Sequence, residues 1–300
     1  MNKYDEAGIS VIICCYNSTE RLPKTLQHIF AQKLAEGMIM EVIVVDNASK
    51  DSTTAVAESL WAEVIHRDGI RFQVVPEIKP GLSYARETGM RTSSYEYLLF
   101  CDDDNWFNET YVARTYTFLK ENKDYGAVGG NGEAACEIKP PAWFDTYSSI
   151  YALGCRNDGD VTNVYGAGMG VKKSLIEGYE TELSDRKGSS LASGGDSEWC
   201  MEIRKKGYKI RQLCDNMFFH FIPKERLTTT YLYRLAKGRG MTKAQLKLVQ
   251  YNHSIRATGV GYRFRTDLKI LWKALLTFNG VRIRYTWYYI SAYWKSLLSS

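Results

Sequence analysis

The sequence predicts an α/β fold, a mostly parallel sheet with helices on its faces. Three observations carry this. First, short apolar runs alternate with stretches of helical length from Ser10 to Gly129, the pattern of repeated βαβ units. Second, the run Tyr97-Leu98-Leu99-Phe100-Cys101 is apolar throughout, which suits a strand covered on both faces. Third, the runs end in polar residues: Tyr16/Asn17, Asp46/Asn47 and Asp102/Asp104. Open α/β sheets bind ligands at the carboxyl ends of their strands, so this convergence predicts a site as well as a fold.

The elements follow in order. Ser10–Cys15 is the first strand. Tyr16-Asn17-Ser18 ends it, and Ser18 or Thr19 caps a helix over about 20–32. Glu41–Val45 is the second strand, and the polar turn 46–52 feeds a helix to about Val64. Arg71–Val75 is the third strand. Pro80-Gly81 breaks the chain before a helix over 83–91. Glu96–Cys101 is the fourth strand, 111–122 a helix and Ala127–Gly129 a fifth strand. Further on, Pro140-Pro141 punctuates the chain. Residues 196–206 read as a helix stopped by Gly207, and 208–213 and 217–222 read as two strands. The glycines of Val161–Val171 (VTNVYGAGMGV) have the wrong spacing and setting for a dinucleotide fingerprint. Close backbone approach explains them better.

Composition narrows the classes. Three hundred residues suit one large domain, or one with an appendage, and 45% hydrophobic residues can bury a sizeable core. None of the seven Cys lies in a C-x-x-C pair. Cys14, Cys15, Cys101 and Cys200 read as small reduced core residues, not a disulfide framework or zinc site. The N-terminus MNKYDEAG lacks the basic-then-apolar pattern of a signal peptide. No stretch reaches the roughly 18 apolar residues of a membrane span. These features predict a cytoplasmic protein. The net charge of +5 hides an asymmetry: residues 221–300 hold 15 Lys+Arg against 2 Asp+Glu, leaving 24 against 32 in residues 1–220. A tail at +13 calls for an acidic partner, either an anionic membrane face or nucleic acid.

Asp102-Asp103-Asp104 is the main chemical signal. Three adjacent carboxylates do not belong in a core. Alternation along an extended chain would put Asp102 and Asp104 on one face, a hard oxygen pair suited to Mg²⁺ or Mn²⁺ with substrate phosphates. A solvated acidic turn, or a cap for the segment from Asn108, is the plainer alternative. The glycine and terminal glutamate of an EF-hand are missing. A second acidic element, Gly194-Gly195-Asp196-Ser197-Glu198, opens a helix. There Asp196 is either a cap worth about 0.3–1 kcal/mol or a general base.

Together the ordered segments SVIICCYN, VIVVDNASKDST, KPGLSYARETGM, LLFCDDDN, VYGAGMGV, GGDSEWCMEIRKKGYKI and FFHFIPKER resemble family 2 glycosyltransferases of the GT-A fold, from about Ser10 to Pro223. The resemblance implies a catalytic domain over 1–223, with a basic, aromatic-rich helical region over 224–300. It implies an inverting enzyme, with a nucleoside-diphosphate sugar as donor and a saccharide or lipid-linked hydroxyl as acceptor, in bacterial polysaccharide synthesis. UDP is the commonest nucleotide of the family. Tyr16 and Asn17 then face the nucleotide, Asp46 the base or ribose, and Arg86 the pyrophosphate. Asp102 and Asp104 hold Mn²⁺ or Mg²⁺ with His220 nearby. Asp103 faces solvent or touches the donor sugar. Asp196 is the catalytic base, with Glu198 as a second candidate, although Gly195 stands where the family has Glu. Trp143 and Trp199 could offer platforms to a sugar face. His220, among phenylalanines, and Arg86, on a helix, have plain structural alternatives.

Two rivals are weaker. A nucleotidyltransferase would carry a Gly-rich basic loop after the first strand, where this chain has CCYNSTERL. A degenerate, non-catalytic scaffold finds its support in Gly195. No nucleic-acid partner is expected, since the acidic half would repel a phosphate backbone. In the tail, 263–278 and 281–298 read as amphipathic helices rich in Trp and Tyr. They suit an anionic membrane surface through 260–300, or packing on the domain or a second copy.

Overall fold

The computed structural model describes residues 4–64, 68–155, 157–179, 181, 191, 193–250 and 260–299. Strands β1 (Asp5–Cys15), β2 (Ile39–Asn47), β3 (Ile70–Glu77) and β4 (Tyr95–Asp102) lie in the order β3-β2-β1-β4, all parallel. Between them run helices α1 (Leu22–Phe30), α2 (Thr53–Glu63) and α3 (Leu82–Thr92). Helix α4 (Tyr111–Glu121) follows β4. Each strand begins within a few residues of the position expected from the sequence.

Alternation along the strands builds two cores. Ile9, Val11, Ile13, Val42, Val44 and Leu99 pack with Leu22, Leu26, Val112 and Leu119 from α1 and α4. Ile12, Ile43, Val45, Leu98 and Phe100 face the other way, against Ala85 and Met90 of α3 and the Trp199–Ile203 stretch. Residues Tyr97–Cys101 are buried on both sides of the sheet, which explains why that run carries no charged residue.

The rest of the sheet is antiparallel. β5 (Asn105–Phe107) and β7 (Gly159–Val161) pair with β9 (Lys209–Ile222). β8 (Gly170–Lys172) lies between β4 and β6 (Tyr125–Cys136). Here the sequence reading needs correction: 208–213 and 217–222 are one continuous strand. Between the two expected strands, Asn216 is buried and donates to the Tyr111 carbonyl and Thr115 Oγ1. The glycine-rich stretch does mark close approach. A Cβ on Gly170 would crowd Thr115 and Val128, and Gly168 has φ +73°. Short helices α5 (Phe144–Tyr147) and α6 (Lys173–Ile176) and the longer α7 (Gly195–Lys205) complete the elements before Pro223.

Cys14, Cys15, Cys101 and Cys200 are free thiols. Burial pushes the Cys14 thiol up to about 12, which makes it an inert packing group. Cys155 and Cys214, however, form a disulfide 59 residues apart, a pairing that sequence spacing does not reveal.

The chain divides into two compact units. The first comprises Met1–Ala135, Ser148–Glu180 and Trp199–Ile222, and the second Cys136–Tyr147, Thr181–Glu198 and Pro223–Ser300. The second is built on α8 (Thr229–Gln250), α9 (Val260–Leu275) and α10 (Gly280–Leu298). Ala244, Leu248, Tyr293 and Leu297 form its core. Arg263 pairs with Asp267 at 2.9 Å, and Trp294 Nε1 donates to Asp267 Oδ2 at 3.0 Å, tying α9 to α10. Among the described residues, no helix is long and apolar enough to cross a membrane.

Candidate active site

The strand order leaves a topological switch between β1 and β4. From β1 the chain proceeds outward to β2 and β3, while β4 adds on the other side. Loops leaving the carboxyl ends of two such strands diverge and leave a crevice. Cys14 and Asp102 are register partners at that edge, so the Tyr16–Arg21 and Asp102–Asp104 loops emerge side by side.

The first loop is held open by its own polar groups. Asn17 has φ +50°. Its N–H donates to Ser49 Oγ, and its side-chain oxygen accepts from Lys50 N–H at 2.8 Å. Tyr16 keeps half of its surface exposed. Ser18 is buried, donating its N–H to Thr53 Oγ1 at 2.8 Å and its hydroxyl to Asp103. Asp46, at the end of β2, accepts from Ser49 N–H at 3.1 Å and Thr54 Oγ1 at 2.6 Å, which fixes the turn into α2.

Asp103 does not face solvent, one of the two settings the sequence left open for it. Asp103 and Asp104 form the turn between β4 and β5, so strand alternation stops at Asp102. Asp103 turns back under the first loop. Arg21 reaches its Oδ2 through Nη2 at 2.7 Å and Nε at 3.2 Å. Thr25 Oγ1 donates to its carbonyl at 2.8 Å. Burial, together with neighbouring Asp104, pushes the Asp103 carboxyl up, and Arg21 and Ser18 draw it part of the way back. The side chain therefore ties the two loops together. Arg21 carries no motif signal, and only the fold reveals its part.

Asp104 and His220 are brought together across β5 and β9. Asn105 and His220 are register partners, and Phe221 N–H donates to the Asp104 carbonyl at 2.8 Å. His220 Nε2 stands 3.3 Å from Asp104 Oδ1, with both side chains nearly buried. His220 Nδ1 lies 2.8 Å from the Tyr151 carbonyl. A carbonyl only accepts, so the proton belongs on Nδ1. In the neutral ring, Nε2 then turns a lone pair toward the carboxylate, an arrangement a cation between them would satisfy. Among the described residues, no group of three or more His, Cys, Asp or Glu side chains could hold a metal by itself. Two protein donors do fit a Mg²⁺ or Mn²⁺ ion that takes the rest of its shell from substrate phosphates and water. Asp102, half-buried at the end of β4, stands two residues before Asp104.

Arg86 is only 6% exposed, so it is not a surface helix residue. Its guanidinium lies 5.7 Å from the ring centres of both Phe100 and Trp199. Its charge also offsets part of the burial cost of a Cys14 thiolate. Trp199 is buried and stacks on Phe100 at 5.0 Å. It is a core ring rather than the sugar platform its sequence setting allowed. Asn47, noted only as a strand end, bridges to the next loop: it donates to the Lys79 carbonyl at 2.6 Å and accepts from Gly81 N–H at 2.8 Å.

Three expected site residues fall in the second unit. Asp196 sits in the first turn of α7, where its Oδ1 accepts from Ser197 N–H at 2.7 Å. Glu198 is fully buried, and its N–H donates to the Gly194 carbonyl. Trp143 is half-buried beside Phe144.

The glycosyl transferase family 2 model matches residues 10–179, more than half of the chain. Among curated relatives, glycosyltransferase GlyA of Streptococcus pneumoniae is 31% identical over 121 residues, 40% of this chain and 16% of that protein. The poly(ribitol-phosphate) beta-N-acetylglucosaminyltransferase TarP of Staphylococcus aureus is 28% identical over 138 residues, 46% of this chain and 41% of that one. The chain thus spans less than half the length of either. In fold it is similar to the mannosyltransferase PcManGT of Pyrobaculum calidifontis, solved with GDP-Man and Mn²⁺. The TM-score is 0.65 and the identity 18%, covering 97% of this chain and 87% of that one. Helices on both faces of a sheet that is parallel in its first half, with helices after Pro223, are the architecture of GT-A glycosyltransferases. On this match the chain belongs to glycosyl transferase family 2.

Proposed function

We propose that the chain transfers a sugar, with inversion, from a nucleoside-diphosphate donor, UDP foremost, to a hydroxyl of a saccharide or lipid-linked acceptor of a bacterial surface polymer. The main support is the rim of the first unit, where Tyr16, Asp102 and Asp104 leave neighbouring strand ends and His220 faces Asp104 at 3.3 Å. The names of TarP and PcManGT, a polymer glycosyltransferase and a GDP-Man enzyme, point the same way.

In this reading Tyr16 and Asn17 flank the nucleotide and Asp46 meets its base or ribose. Asp102, Asp104 and His220 would hold Mn²⁺ or Mg²⁺, which when bound supplies positive charge to the diphosphate oxygens. Arg86 would add a fixed cation for the same oxygens. Asp103 and Arg21 hold the two loops in register. Asp196 accepts the proton of the acceptor hydroxyl as its oxygen forms the new bond to the anomeric carbon. The bond from that carbon to the phosphate oxygen breaks, and the nucleoside diphosphate leaves with the electron pair. Attack opposite the leaving group inverts the centre without a covalent enzyme intermediate. Residues 1–223 carry the chemistry, with Glu198 supporting α7 and Trp143 available to a sugar face.

The test is a thermal-shift screen of UDP-, GDP- and dTDP-sugars with Mn²⁺, followed by assay of nucleoside-diphosphate release. Asp196→Asn should lower transfer by about 10²–10⁴-fold while donor binding persists. Unimpaired turnover would remove Asp196 from the base role. If a donor shifts the melt but none is turned over, the degenerate, donor-binding scaffold becomes the better account.

A further inference from the structure

We infer that the outer face of α9, continued through the turn that follows it, is a docking surface for an anionic lipid bilayer. The aromatic-rich α10 is not that surface. The sequence suggests the whole of 260–300, yet within α10 Tyr293 is completely buried and Tyr233 of α8 packs on Tyr288. α10 belongs to the core of the second unit.

Helix α9 has a packed side and an exposed apolar side. Its inner side carries the buried Asp267 and Ala274, tied down by Arg263 and Trp294. Its outer side presents Phe264, Leu268, Trp272 and Leu275, spaced i, i+4, i+8 and i+11. This spacing makes one continuous stripe on a helix. All four are exposed, Trp272 at 65%, and the stripe runs on into Leu276 and into Phe278 at 92%. Scattered exposed hydrophobics need no explanation, but a contiguous aromatic row on one element marks a contact surface.

Charge decides what the surface meets. Beside the stripe runs a second row at the same spacing, Arg265, Lys269 and Lys273, all exposed. An apolar stripe with a basic border is the form of a helix lying in the headgroup region, its rings in the acyl boundary and its cations on anionic headgroups. A second copy joined through the same face would bring these rows together. Nor could residues 221–300 offset them, since their only acidic side chains are Glu225 and Asp267, the latter committed to Arg263.

This inference does not depend on the glycosyltransferase reading, because its test measures binding without turnover. The full chain is sedimented with vesicles of equal parts phosphatidylcholine and phosphatidylglycerol, and with vesicles of phosphatidylcholine alone. Wild type should pellet with the anionic vesicles and be released by salt. The L268E/W272E variant, changed only at exposed positions, should stay in the supernatant. The R265Q/K269Q/K273Q variant should bind about a hundredfold more weakly, at roughly fivefold per charge. Equal recovery in the supernatant with and without anionic vesicles would overturn the inference. So would vesicle binding unchanged in both variants. A salt-insensitive dimer of wild type that L268E/W272E converts to monomer would assign the stripe to a second copy instead, and would equally overturn it.

Discussion

Replacing His220 with alanine tests the pairing at the centre of the site. Two losses follow from the geometry. Without ligands, the variant loses the Nδ1–H bond to the Tyr151 carbonyl and the ring packed beside the nearly buried Asp104, at a cost of about 1–3 kcal/mol. With Mn²⁺ and UDP present, the larger effect is on linkage. A ligand at a hundred times its Kd stabilises the folded state by about 2.7 kcal/mol. At about 2–4 °C per kcal/mol for a domain of this size, wild type should gain about 5–10 °C. If loss of the imidazole weakens cation binding about a hundredfold, the same ligand concentration stabilises by only about 0.4 kcal/mol. The gain then shrinks to about 1–2 °C. Asp104→Ala should behave in the same way. Phe219→Ala, at the exposed neighbouring position on β9, should keep the full gain. The assay is a thermal melt of each variant with and without Mn²⁺ and UDP. A gain in His220→Ala equal to that of wild type would refute the claim that His220 and Asp104 share a cation.

Gly240 on α8 faces α10 so closely that an added Cβ would meet the Tyr289 carbonyl, with Tyr293 N at 3.0 Å and Ala292 Cβ at 3.2 Å. Gly240→Ala gains about 1 kcal/mol of helix propensity, but it meets backbone that cannot move aside. It should still destabilise the protein, by about 1–3 kcal/mol in urea unfolding, and a stabilised variant would show that α8 and α10 pack more loosely. For Asp51, slight burial is outweighed by hydrogen bonds from Thr19 and Thr53, which hold its carboxyl at about 2. Its folded value lies below the unfolded one, so its contribution is present above about pH 4 and lost as pH falls toward 2. The difference in melting temperature between wild type and Asp51→Asn should therefore narrow over that window, and a constant gap would remove the linkage.

Much of this was legible in the residues because it is local. The apolar run ending in Asp102 announced both a doubly covered strand and a rim of carboxylates. The polar ends of β1 and β2 marked the same edge, and Gly168 and Gly170 announced close approach. The unread parts depend on contacts between distant segments. Asp103 looked like its neighbours until Arg21, 82 residues earlier in the chain, was placed against it. His220 gains meaning only because β9 lies beside β5, and because a main-chain carbonyl with no sequence signature, that of Tyr151, sets its proton. The Cys155–Cys214 disulfide joins positions that no spacing rule relates.

By itself, the sequence determined the alternation of strands and helices, the edge at which the polar strand ends gather and the basic character of the tail. Each follows from side-chain periodicity and charge along a continuous stretch. Tertiary structure alone decided which carboxylate turns inward, which imidazole nitrogen faces Asp104, and that α9 rather than α10 keeps an apolar face in water. Those outcomes are set by neighbours brought together across scores of residues, where pairing and burial, not local pattern, determine the lowest free energy.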